Sequence, residues 1–128
     1  MATLVVTLGA AACGPQAPDV AGLPERVDFN FHVRPILSDK CFACHGPDDR
    51  ARKGGLALHT QDGAFATLAS GHRAVVAGST RKSELVRRIL STDPGVMMPT
   101  PDSHLTLTEL EKATLVRWIE QGAEWTPH

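Results

Sequence analysis

The most constraining feature of the sequence is the pentapeptide Cys41-Phe42-Ala43-Cys44-His45. Two cysteines separated by two residues and followed at once by a histidine form the attachment pattern of c-type haem. On a helical turn the two thiols share one face, so both can reach the vinyl groups of a porphyrin edge and form thioethers. The imidazole of His45 is then directed at the iron as an axial ligand.

Three other interpretations of the pentapeptide stay open: a zinc site, a thiol redox pair and a chance match. A structural zinc site needs two further thiolates or imidazoles, usually as a second close pair, and the sequence has one other cysteine, Cys13. A thioredoxin-like redox pair requires a βαβ context after a strand, and no such pattern surrounds the motif. Haem attachment is therefore the favoured hypothesis.

Length and composition limit the size of the core and the kinds of partner. The chain has 128 residues, which suits one domain plus a short appendage. Its net charge of −1 gives no reason to expect nucleic acid as a partner. With no tyrosine, two tryptophans and four phenylalanines, the chain has a modest core of its own. A buried macrocycle would supply the missing apolar contacts.

The first 12 residues are predicted to be a signal peptide of an exported, periplasmic protein. They are apolar and uncharged, but far short of the ~20 residues that a membrane-spanning helix needs. Small residues directly before Cys13 resemble a lipoprotein cleavage box, so we expect a lipid anchor at Cys13. Plain signal cleavage near the same point and a disordered tail are the alternatives.

Residues 13–26 are predicted to be a flexible tether, because prolines and glycines recur there. Residues 27–128 are predicted to be an all-α domain, with three to five helices around one covalently bound haem and the N- and C-terminal helices crossing. A capping box at Thr106–Glu109 and a stop at Gly122 bound the last helix. The predicted helical segments are 28–37 with a restart at Pro35, 60–69, 82–90 capped by Ser79 or Thr80, and 107–121.

A second informative stretch is the loop 93–101, which contains Met97 and Met98 between prolines. Methionine normally fills helical cores, whereas prolines stiffen this loop and can hold a thioether toward one point. We predict Met98 as the second axial ligand because Pro99 follows it directly. A thioether opposite imidazole raises the reduction potential. Two ordinary packed methionines are the plain alternative, and the rival ligands are Met97, His32, His59, His72 and His104.

The loop after the motif has a small basic cluster, Arg50, Arg52 and Lys53. Such a cluster beside a haem edge would steer an acidic redox partner toward it. A solvated loop is the alternative interpretation.

With these residues in place, the chain resembles the cytochrome c-like domain of planctomycete-type proteins over about residues 27–125. The resemblance implies thioethers at Cys41 and Cys44, with His45 and Met98 as axial ligands. Thr100 stands where the family commonly has a second proline after the methionine. The resemblance lies in the segments 28–30, 33–37, 41–47, 55–56, 83–85, 98–99 and 117–123, and in Gly78.

We therefore expect an electron-transfer protein rather than an enzyme, containing one haem c and docking redox partner proteins at the exposed haem edge. It would act as a monomer or as a subunit of a larger redox complex. Two alternatives remain. One is a haem-based gas or redox sensor, and the other is the small haem subunit of a periplasmic dehydrogenase or peroxidase complex.

Overall fold

The structure is a computed structural model that describes residue 9 and residues 20–127. The predicted signal segment, apart from residue 9, and the predicted lipid attachment at Cys13 lie outside this part of the chain. Within it, no helix is both long and apolar enough to cross a membrane.

The described residues form five α-helices and no strand beyond two isolated bridges, Thr67–Arg73 and Arg73–Ser83. The predicted all-α class is therefore confirmed. A π-helical turn, Phe29–Val33, precedes α1, and a 3₁₀ turn, Pro101–Ser103, precedes α5. The helices are α1 Arg34–Lys40, α2 Phe42–His45, α3 Gln61–Phe65, α4 Glu84–Leu90 and α5 Glu109–Glu120.

The N-terminal helical segment begins with a capped turn. The side chain of Asp28 accepts a hydrogen bond of 2.7 Å from the Phe31 amide, which satisfies one unpaired donor of the first turn. The π-helical turn changes to the α-helix α1 at Arg34, and Pro35 lies in the first turn of α1, where a missing amide hydrogen costs nothing. The expected restart at Pro35 is thus confirmed. The buried face consists of Phe29, Val33, Ile36 and Leu37.

The start of α5 differs from the prediction by two residues. Thr108, not Thr106, is the cap: its side chain accepts from the Glu111 amide at 3.1 Å, and Glu111 accepts from the Thr108 amide at 2.9 Å. The sequence contains two overlapping capping patterns, and the expectation of Thr106 with Glu109 was wrong. A start at Thr108 brings both Glu109 and Glu111 into the first turn, where carboxylates interact favourably with the helix dipole.

The end of α5 confirms the stop at Gly122. The amide of Gly122 donates to the Ile119 carbonyl at 3.0 Å, and the amide of Ala123 donates to the Trp118 carbonyl at 2.9 Å. This pair of bonds is a Schellman motif. It requires a left-handed residue, and Gly122 adopts φ 107° without a side-chain penalty.

The helix α3 is shorter than predicted. It begins with Thr60 as the expected cap, but it ends at Phe65 rather than near Ala69. Ala66 adopts an extended conformation with φ −67° and ψ 149°, and Thr67 then pairs with Arg73.

The helix α4 also begins later than predicted, with Ser83 as its cap in place of Ser79 or Thr80. The buried Ser83 hydroxyl donates to the Ser79 carbonyl at 2.7 Å and accepts from the Val76 amide at 2.8 Å. The hydroxyl therefore holds the preceding turn, which keeps Ser79 and Thr80 outside the helix.

The aromatic part of the core lies between α5 and the N-terminal turn. The ring of Phe29 packs against Trp118 of α5, with centroids 5.6 Å apart, and against Trp125, with centroids 4.1 Å apart. Trp118, Leu115 and Ile119 are almost fully buried. Trp118 is thus a core residue, and the crossing of the two terminal helices stays a prediction.

The segment before the first turn is fastened along the C-terminal half of α5. The Val27 amide donates to the Gln121 side chain at 2.9 Å. The guanidinium of Arg117 donates to the Pro24 carbonyl at 3.0 Å, and the Gln121 amide group donates to the Glu25 carbonyl at 2.6 Å. Residues 24–27 are therefore tied to the last helix rather than to the cysteine motif.

Candidate haem site

The cysteine motif lies at the junction of two helices. The Cys41 amide donates to the Leu37 carbonyl at 2.9 Å and so closes α1, while the Cys41 carbonyl accepts from the His45 amide at 2.8 Å and so closes α2. One helical turn thus contains both cysteines and the histidine. This is the local geometry that the spacing of the motif predicts.

The loop after the motif folds back onto it. The Lys53 amide donates to the Cys44 carbonyl, and the Leu58 amide donates to the His45 carbonyl, both at 2.7 Å. Arg52 donates through Nε and Nη2 to the Gly46 carbonyl at 3.2 and 3.0 Å. Arg52 is therefore half-buried and internally bonded, and the predicted basic cluster reduces to Arg50 and Lys53, which are exposed.

Gly46 follows the motif directly and is packed tightly against it. It is buried, and a Cβ at this position would overlap the Phe42 carbonyl oxygen and lie 2.9 Å from two Phe42 carbon atoms. A side chain is therefore excluded unless the end of α2 moves. The glycine that follows His45 is a packing requirement of the turn.

The two thiols differ from those of a disulfide oxidoreductase. Cys41 and Cys44 are both free, and burial raises the pKa of the Cys41 thiol to about 12, with the negative charge of Glu111 adding to the shift. A redox-active thiol needs a lowered pKa, because the thiolate is the nucleophile. The thioredoxin-like interpretation is therefore not supported by this environment.

The zinc interpretation also lacks a ligand set. Within residues 20–127, no group of three or more His, Cys, Asp or Glu side chains is arranged to hold a metal ion. A structural zinc site requires four such ligands.

The environment of His45 suits a neutral, metal-ligating imidazole. Burial lowers the pKa of His45 and the positive charge of Arg88 acts in the same direction, although backbone groups of Lys53 and Leu56 act against both. Its Nδ1 is buried and makes no hydrogen bond of good geometry among the described residues, although the backbone of Lys53 and Leu56 is near enough to influence the pKa of the ring. A buried nitrogen without a good hydrogen bond calls for an explanation such as a redox role. The two thiols and this imidazole therefore fit a covalently attached haem.

The methionine loop is attached to α4 through one residue, Arg88. The Met98 amide donates to the Arg88 carbonyl at 3.1 Å, and the Arg88 guanidinium donates to the Val96 carbonyl at 3.2 Å. The same arginine is close enough to His45 to lower its pKa. Met97 and Met98 are both half-buried, so the choice of Met98 stays a prediction.

The four rival histidines have different environments. The Nδ1 of His32 accepts from the Asp28 amide at 2.8 Å. His72 is 62% exposed and lies 4.0 Å from Glu84. His104 is exposed on a left-handed turn. The ring of His59 packs edge-on against Phe42, and its Nδ1 is buried without a partner in the described part of the chain. Of the four, His59 is therefore the strongest rival ligand.

Two functional features escaped the sequence analysis. Neither the pair of hydrogen bonds from Arg52 to the Gly46 carbonyl nor the attachment of the methionine loop to Arg88 was predicted. The distance of eight residues between Arg88 and Val96 carries no recognisable pattern, so the sequence offered no signal for it.

A helical fold with two free thiols and a desolvated imidazole on one turn has the features of the class of c-type cytochromes. A model of the family described as Planctomycete cytochrome C matches residues 41–102, from Cys41 to the 3₁₀ turn after the methionine loop. The match supports a planctomycete-type cytochrome c-like domain over these residues and so confirms the resemblance for this part of the chain. No curated protein and no solved structure matches the chain.

Proposed function

We propose that this domain is an electron carrier with one haem c, attached by thioethers to Cys41 and Cys44 and ligated by His45 and Met98. The observation that supports the proposal best is the single helical turn with two free thiols and a neutral imidazole, at the start of the matched family segment. When bound, the haem supplies an iron that accepts and releases one electron.

The residues around the motif would keep its geometry constant during electron transfer. The carbonyls of Cys44 and His45 each accept a loop amide at 2.7 Å, so the helical turn is fixed from both sides. Arg52 fixes the next carbonyl, that of Gly46, by two bonds. A rigid attachment favours electron transfer, because little of the protein has to rearrange when the charge changes.

The proposed axial ligands would leave no coordination position for a substrate. A lowered pKa keeps the His45 imidazole neutral at pH 7, which is the form that ligates metals. The Met98 thioether would favour the reduced state of the iron. A carrier is therefore the better proposal than an enzyme or a sensor, in which one position must open.

The partners would be redox proteins that dock through a small, transient interface at the haem edge. The exposed cations Arg50 and Lys53 lie on the loop that folds onto the motif and would favour an acidic partner surface. Export to the periplasm, with a lipid anchor at Cys13, is the matching proposal for location.

The first test is covalent attachment. The full chain is expressed with periplasmic haem-ligation machinery, and intact mass and a pyridine haemochrome spectrum are measured. We expect the mass of one haem in the wild type, its loss in the Cys41→Ala/Cys44→Ala double variant, and its retention in Cys13→Ser. A wild-type mass equal to that of the polypeptide alone would refute the proposal.

The second test identifies the distal ligand. We expect Met98→Ala, but neither Met97→Ala nor His59→Ala, to abolish the long-wavelength sulfur-to-iron absorption band of the oxidised protein. Loss of the band in Met97→Ala alone would move the ligand to Met97. Carbon monoxide binding to the reduced wild type in the absence of denaturant would instead support the sensor.

A further inference from the structure

Arg88 contacts the methionine loop from two directions. Its carbonyl accepts the Met98 amide at 3.1 Å, while its Nη1 donates to the Val96 carbonyl at 3.2 Å. The loop is thus held on both sides of Met97 by the main chain and the side chain of one residue. A guanidinium can hold such a position because its donors form a rigid fork.

Glu84 orients the guanidinium group of Arg88. The Nε of Arg88 donates to a carboxylate oxygen of Glu84, one turn earlier on α4, at 3.1 Å. The Glu84 side chain is only 11% exposed and that of Arg88 is 35% exposed, so the pair is partly shielded from water.

The guanidinium of Arg88 is also a fixed positive charge, hydrogen-bonded to the loop that contains Met98. A fixed positive charge disfavours a further positive charge nearby. Ferric iron has one more positive charge than ferrous iron. A cation beside the proposed Met98 ligand would therefore stabilise the reduced state of the iron.

We propose that Arg88 is a positioning residue that holds the Met98 loop against the haem and raises the reduction potential of the site. The inference rests on the proposed function, and it adds a residue to which the attachment motif gives no clue. Arg88 would act through Met98 and through its charge, without touching the iron.

A plain surface ion pair is the alternative explanation. Exposed pairs one turn apart on a helix contribute little to stability, and such a pair would leave the haem unaffected. Arg87 provides the matched control, because it pairs with the same Glu84 carboxylate at 2.5 Å. Its side chain is 55% exposed, and among the hydrogen bonds of the described residues it makes none to the methionine loop.

The test compares Arg88→Gln, Arg88→Lys and Arg87→Gln in the haem-loaded protein. Reduction potential, the sulfur-to-iron band and amide hydrogen exchange over residues 93–98 are measured. For Arg88→Gln we expect a roughly tenfold shift of the oxidation–reduction equilibrium toward the ferric form, equal to about 59 mV, with a weaker band and faster exchange. Arg88→Lys keeps the positive charge but loses the forked guanidinium. We therefore expect its sulfur-to-iron band to weaken, while its reduction potential falls less than that of Arg88→Gln. Arg87→Gln leaves all three unchanged.

Equal potentials, bands and exchange rates in wild type and Arg88→Gln would overturn the inference and leave the proposed function intact. Equal effects of Arg87→Gln and Arg88→Gln would also overturn it, since both would then act through Glu84 alone. If Arg88→Gln fails to fold, the inference is tested with Arg88→Lys, whose sulfur-to-iron band and amide exchange rates are compared with those of the wild type. Wild-type values for both would overturn the inference. Absence of haem from the wild type would instead refute the proposed function itself.

Discussion

Replacement of Gly46 by alanine is expected to be the most damaging single-methyl change near the motif. The new Cβ would overlap the Phe42 carbonyl oxygen and lie 2.9 Å from two Phe42 carbons. Overpacking of this kind costs about 1–3 kcal/mol. Any relieving shift also disturbs the Gly46 carbonyl, which accepts two bonds from Arg52, and bonds to charged groups are worth about 1.5–3 kcal/mol.

We therefore expect Gly46→Ala to destabilise the domain by about 3 kcal/mol, which lowers the melting temperature on the order of 10–20 °C. Haem yield should fall as well, because His45 precedes the affected residue. Far-UV circular dichroism during urea and thermal unfolding measures the loss.

Gly95→Ala is the matched control for this prediction. Its Cβ would meet only Asp93 Oδ1, at an ordinary contact distance of 3.4 Å. A glycine-to-alanine change at a compatible site is neutral or stabilising by about 0.4–1 kcal/mol, because the unfolded chain loses freedom. The reasoning is refuted if Gly46→Ala and Gly95→Ala unfold at the same urea concentration.

Three further predictions concern stability and are measured by urea unfolding. Thr108→Ala should cost about 1 kcal/mol through loss of the cap, whereas Thr106→Ala should change little; the reverse result would restore the cap that the sequence suggested. The pKa of Glu84 is lowered from 4.5 by its hydrogen bond to an arginine, so its contribution is complete above pH 4.5 and lost as pH falls through the lower folded value. Glu84→Gln should flatten that acid-side dependence, and an unchanged slope would contradict this. Phe29→Ala should cost about 3–5 kcal/mol, while Phe31→Ala, at a side chain 78% exposed, should stay within about 0.5 kcal/mol; equal losses would contradict the burial pattern.

Features that depend on a few neighbouring residues were predictable from the sequence. The spacing of Cys41, Cys44 and His45 fixes their shared turn, and Gly122 marks the end of α5 because only glycine adopts that left-handed conformation cheaply. Pro35 marked the change in the first helix for an equally local reason.

Features that depend on tertiary contacts were not predictable. The two capping patterns at Thr106 and Thr108 are equivalent in sequence, and the structure uses the second. Ser83 resembles an ordinary helix residue until the turn at Val76 supplies its hydrogen-bond partners. Arg88 resembles a solvated cation until the loop returns to meet its guanidinium.

The fastening of residues 24–27 to α5 has a mechanical consequence. A pull applied to the chain ahead of Pro24 is shared between the backbone and the hydrogen bonds that Arg117 and Gln121 donate to Pro24 and Glu25. Part of the load therefore enters the longest helix before it can reach the turn that contains Cys41 and Cys44. If Cys13 is anchored as proposed, these bonds would reduce the strain that the anchor places on that turn.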